Sequence, residues 1–112
     1  MDGLEKARLC ARYADDKKAE DVVILDLRGV SPITDYFVIC TANSSPHLRA
    51  VRDSVEDGMR ENYEQRPLIS DGALESGWLI SHYGDVMVHV LQDEKRGYYA
   101  LEDLWGDAKR VS

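Results

Sequence analysis

The stretch from Trp78 to Leu91, WLISHYGDVMVHVL, constrains the fold more than any other part of the chain. Two apolar runs rich in β-branched and aromatic residues flank Gly84-Asp85, the spacing of a two-residue hairpin. With that pair as the turn, Tyr83 faces Val86, Ser81 faces Val88 and Leu79 faces Val90. The opposite face then carries Trp78, Ile80, His82, Met87, His89 and Leu91. Both faces are substantially apolar, which a two-stranded ribbon in water does not satisfy. We therefore expect one face on a core and the other against a helix or another protein.

The rest of the chain offers material for that core. Its 112 residues suit one domain spanning 1–112, long enough to bury a core without disulfides or metal. Residues 2–18 suggest a helix, with Asp2 and Glu5 in a capping arrangement and a narrow apolar stripe of Leu4, Ala7, Ala11 and Ala14. Val22–Leu27 and Tyr36–Ala42 are short apolar runs without helical period, hence buried strands. Ser45 can cap a second helix, with Pro46 at its first position and Leu48, Val51, Val55 and Met59 on one face. That helix should end near Asn62-Tyr63. A polar connection over 64–77 leaves room for a brief strand at Pro67–Ser70. After the hairpin, Asp93 can cap a helix running through Leu104-Trp105, with Gly106 as its stop.

The order helix, strand, strand, helix, strand, strand, helix predicts an α/β (α+β) fold: a small mixed β-sheet with helices packed on it. The strand–helix–strand unit from Tyr36 to Ser81 favours a parallel crossover, whereas the hairpin is antiparallel.

A formal charge of −7 disfavours direct binding of nucleic acid and favours a cationic protein partner. Cys10 and Cys40 lie far apart in sequence, and the acidic N-terminus Met1-Asp2-Gly3-Leu4-Glu5 is unlike a signal or transit peptide. Two reduced thiols in a cytoplasmic protein are the expectation, and no segment has the run of about 20 apolar residues that spans a membrane.

Catalytic constellations are incomplete. His82 and His89 share a hairpin face, but two imidazoles without a third or fourth ligand suit a structural role better than a zinc site. Ser44 and Ser45 sit at a strand-to-helix turn, as in the nucleotidyltransferase fold. That chemistry needs paired carboxylates on a neighbouring strand to hold metal and phosphates, and Asp85-Val86-Met87 supplies one. Neither the Gly-x-Ser-x-Gly elbow nor a glycine-rich phosphate loop is present. We expect no catalytic residues, metal or cofactor. The aromatic residues of the last third, Trp78, Tyr83, Tyr98, Tyr99 and Trp105, lie among Asp85, Asp93, Glu94, Glu102 and Asp103. As a group they suit a protein interface.

Asp21–Leu27 (DVVILDL), Ile33–Ser45 (ITDYFVICTANSS), Tyr83–Leu91 (YGDVMVHVL) and Tyr99–Val111 (YALEDLWGDAKRV) resemble the ribosomal silencing factor family, RsfS or Iojap. The resemblance implies a nucleotidyltransferase-like fold that has lost catalysis. It also implies binding to ribosomal protein L fourteen on the large subunit, which blocks joining of the small subunit and represses translation. Organellar relatives imply a related role in large-subunit assembly. Carried onto this chain, the hairpin motif makes Trp78, Leu79, Tyr83 and Asp85 partner-binding candidates, and the C-terminal motif adds Tyr99, Glu102 and Trp105. Trp78 is the expected anchor, with packing of Trp78 and Trp105 on each other or on the sheet as its bland counterpart. Two alternatives remain at this stage: a metal-dependent nucleotidyltransferase, and a homodimeric assembly factor that self-associates through the hairpin.

Overall fold

All seven residues of the strand Tyr36–Ala42 are buried, which requires cover on both faces of the sheet it occupies. The computed structural model describes residues 1–99 and 108–111, the last three residues of the first span by backbone alone. Within these residues six strands form one sheet: β1 (Glu20–Asp26), β2 (Tyr36–Ala42), β3 (Ile69–Ala73), β4 (Trp78–His82), β5 (Val86–Gln92) and β6 (Lys109–Val111). Their spatial order is β3-β4-β5-β2-β1-β6. The helices are α1 (Gly3–Asp16), α2 (Ser45–Tyr63) and α3 (Asp93–Tyr99), and a short 3-10 turn covers Leu74–Ser76.

The hairpin has the expected register. Leu79 pairs with Val90 and Ser81 with Val88, the Tyr83 amide donates to the Val86 carbonyl at 2.7 Å, and Gly84 adopts the φ of 92° that a tight turn demands. The parallel contact differs from expectation. β2 pairs in parallel with β5, from Tyr36–Val86 to Ala42–Gln92, and β4, where the proposed crossover ended, is antiparallel to β5. The chain leaving α2 first builds β3 at the edge and then returns through the hairpin, so the second hairpin strand takes the central place.

Helices α1 and α2 cover one face. Ala7, Cys10 and Ala14 of α1 and Leu48, Val51, Val55 and Met59 of α2 pack on Val38, Cys40, Leu79, Val86, Val88 and Val90. The small side chains of α1 let it approach closely, and Tyr13 fills the space above Gly58 of α2. Asp2 caps α1 by accepting from the Glu5 amide at 2.8 Å. The cap of α2 is Ser44 rather than Ser45. Ser44 is extended (φ −160°, ψ 165°), and its Oγ accepts from the His47 amide at 3.2 Å. His47 Nδ1 accepts from the Asn43 amide at 3.1 Å, so two amides at the helix start are satisfied reciprocally.

Two strands also depart from the expectation. β3 lies at Ile69–Ala73 rather than Pro67–Ser70, because Pro67 has no amide to give a ladder. β6 pairs with β1 through Ile24–Val111 and has no counterpart in the sequence reading. Asp93 lies in the first turn of α3 rather than before it, and the expected continuation to Leu104-Trp105 falls outside the described residues.

Candidate protein interface

Strand pairing places Trp78, Ile80 and His82 of β4 on one face with Met87, His89 and Leu91 of β5, opposite the helices. This second face is closed over β1 and β2, where Val23, Leu25, Phe37 and Ile39 are buried with Leu91. Arg96 of α3 contributes to that closure, donating to Thr41 Oγ1 at 2.9 Å and to the Asp21 carbonyl. Over β4 the cover supplied by the described residues ends. Trp78, Ile80, His82 and Met87 are all half-buried, and beyond them Ile69 and Leu68 are 55% and 75% exposed. The result is an open apolar surface on a rigid sheet.

Trp78 is held within this surface. Its indole Nε1 donates to His89 Nδ1 at 3.0 Å, with the two rings 5.7 Å apart. Phe37 meets the other side of His89 edge-on at 4.5 Å. Burial, aided by His82, pushes the His89 pKa down to about 3, so the ring is neutral and its proton sits on Nε2. Nε2 of both His82 and His89 is buried without a hydrogen-bond partner among the described residues. Phe37, Trp78 and His89 therefore form one packed block, with the polar atoms of Trp78 and His89 turned into the protein.

The remaining candidates are distributed unevenly. Leu79 and Tyr83 face the helices and are 2% and 7% exposed. Asp85 lies at the hairpin turn, where its carboxylate accepts from Lys6 Nζ at 2.9 Å and its carbonyl accepts from the amides of Asp35 and Tyr36. Of the four hairpin candidates, only Trp78 stands on the open face. Glu102 and Trp105 lie outside the described residues, as does the side chain of Tyr99. Ile80, His82 and Met87 were assigned to this face from the sequence without being singled out as contacts. Leu68 and Ile69 were missed. Their signal was an apolar pair just after Pro67, and periodicity alone does not tell an exposed pair from a buried one.

Catalytic groups are engaged elsewhere. Ser44 caps α2, Asp85 is paired, and burial raises both Cys10 and Cys40 to about 12, leaving them protonated and unreactive. Among the described residues no three His, Cys, Asp or Glu side chains converge to hold a metal ion, and no helix is long and apolar enough to cross a membrane.

Fold and face thus define a small α+β module that presents one open sheet surface. The family model for "ribosomal silencing factor during starvation" matches residues 2–112; the chain belongs to that family. A ribosomal silencing factor of Bacillus subtilis is 42% identical over 101 residues, covering 90% of this chain and 85% of the relative. One from Halalkalibacterium halodurans is 38% identical over 111 residues, covering 99% and 94%. A crystal structure of a Chromobacterium violaceum protein superimposes with a TM-score of 0.89 at 28% identity, covering 95% of this chain and 88% of that one. The role of the chain is therefore regulatory, the silencing of ribosomes.

Proposed function

We propose that this chain represses translation by binding ribosomal protein L fourteen on the large subunit and blocking the approach of the small subunit. The observation that carries this reading is the half-buried Trp78, locked to His89 at 3.0 Å on an otherwise open apolar face, in a chain of the silencing-factor family. A rigid aromatic anchor rimmed by polar groups is the usual centre of a protein interface. The formal charge of −7 favours approach to a basic ribosomal protein and acts on association rate more than on final affinity.

In this reading Trp78, Ile80, His82 and Met87 touch the partner, while Leu79, Tyr83 and Asp85 hold the hairpin from beneath. Tyr99, Glu102 and Trp105 complete the contact set from the C-terminal segment. In this reading the protein acts in the cytoplasm and requires no catalysis, metal or cofactor. Co-sedimentation with isolated large subunits at moderate salt tests the binding step. Pelleting with the large subunit supports the reading, and its absence rejects it.

A further inference from the structure

The rim of the sheet beside the open face has a chemistry of its own. β3 ends the sheet, and all five of its residues are exposed. Pairing with β4 sets Ile69, Asp71 and Ala73 on the same face as His82, Ile80 and Trp78. The apolar surface therefore runs off β4 to an edge whose outer main-chain groups face solvent. The Tyr83 amide bonds to β5, so His82 and Ile80 turn their main-chain groups toward β3, where they pair with Ile69 and Asp71. Alternation along an antiparallel ladder then turns the main-chain groups of Ser70 and Gly72 away from β4. Such an edge is a template for a further strand.

Asp71 decides which strand. Its Oδ1 accepts from the outward amide of Gly72 at 2.7 Å, so the carboxylate guards the rim. A second copy pairing edge to edge about the centre of β3 would set Asp71 directly against itself, and like charges opposite one another destabilise a ladder. A strand carrying Lys or Arg at that position reverses the sign of the contact. Glu75, exposed two residues past the strand, deepens the same preference.

We propose that β3 is a docking edge for an extended, cationic strand of the partner protein. The incoming strand bonds to the main chain at Ser70 and Gly72. Its cation draws the Asp71 carboxylate off the Gly72 amide, and its apolar side chains continue the surface of Ile69 and Trp78. Asp71 thereby admits a basic partner and turns away a second copy. This rests on the reading that a ribosomal protein covers the open face, and it specifies how that protein is held.

Amide hydrogen exchange of the full chain, alone and with purified ribosomal protein L fourteen, tests the docking edge, with calorimetry reporting binding independently. The expected result is slowing of exchange at Ser70 and Gly72 by about tenfold or more in the complex, as for amides newly bonded in a ladder. Asp71→Lys, at an exposed position, should weaken binding about tenfold with unchanged thermal melting, the size expected of a reversed charge contact. If L fourteen binds but the β3 amides stay unprotected and Asp71→Lys binds as well as wild type, the docking edge is wrong while the open-face reading stands. If the β3 amides are protected in the concentrated chain alone, the occupant is a second copy and the proposal fails. Absence of any calorimetric binding overturns the underlying reading as well.

Discussion

Trp78 donates its indole N–H to His89 Nδ1 at 3.0 Å, so the largest side chain on the open face keeps its polar atom inside the protein. The ring is thereby fixed in orientation against His89. An anchor fixed in advance loses little entropy on binding, which strengthens association without any new contact. Trp78→Ala should accordingly weaken binding to large subunits by about 2 kcal/mol or more, the threshold of an interface hot spot. Circular dichroism should show a folded chain. An unfolded variant would assign Trp78 to the core instead.

His89→Leu should separate positioning from contact. Leucine fills the volume but leaves the Trp78 N–H without its acceptor, at a cost of about 1–3 kcal/mol in stability. Urea denaturation measures that loss. The emission maximum of the tryptophans should shift as the indole is released.

Acid should destabilise the fold through the same histidine. The folded-state pKa of His89 is depressed to about 3, whereas an unfolded histidine titrates near 6.5. The contribution is therefore fully present above about pH 6.5 and is lost progressively as the pH falls toward 3, since only the unfolded state takes up the proton in that window. Between pH 7 and pH 5 the loss should be about 2 kcal/mol. His89→Gln, which retains a carbonyl acceptor for Trp78, should lack that part of the slope in paired denaturation curves.

The pairing of Lys6 with Asp85 at 2.9 Å fastens α1 to the hairpin turn. Lys6 is buried, so Asp85→Ala strands a charge and should cost on the order of 2 kcal/mol. Thermal melting reads the effect. Binding of the remaining folded protein to large subunits should change much less than in Trp78→Ala.

Gly72 is a backbone position on which the open face depends. Its φ is 94°, and a Cβ there would lie within 2.2 Å of the Trp78 carbonyl oxygen. Gly72→Ala must move β3 away from β4, at a cost of about 1–3 kcal/mol from backbone strain, and should loosen Trp78 with it. Faster amide exchange along β3 and β4, together with weaker subunit binding, is the expected pair of results.

What could be read from the sequence follows from how locally each feature is determined. Gly84-Asp85 fixes the hairpin register through its own turn geometry, and the period of two then assigns Trp78 and Leu79 to opposite faces without further information. β2 was legible because an uninterrupted apolar run has few other uses. The cap of α2 was misplaced by one residue because Ser44 and Ser45 are chemically the same, and only the backbone settles which stands outside the helix. β6 is three residues, Lys109–Val111, held by pairing with β1, and so short a polar segment carries no pattern. The parallel contact of β2 with β5 depends on β3 taking the edge, a choice made by tertiary packing. For the interface, a pattern gives faces but not cover: nothing local to Leu79 or Trp78 shows that helices close over one and leave the other open.

The central claim is that a bound chain keeps the ribosomal subunits apart. Light scattering of mixed large and small subunits, with and without saturating protein, measures it directly. The account predicts that wild type suppresses the rise in scattering that marks subunit joining, while Trp78→Ala at the same concentration leaves it largely intact. Full joining in the presence of wild type that demonstrably co-sediments with the large subunit would contradict it.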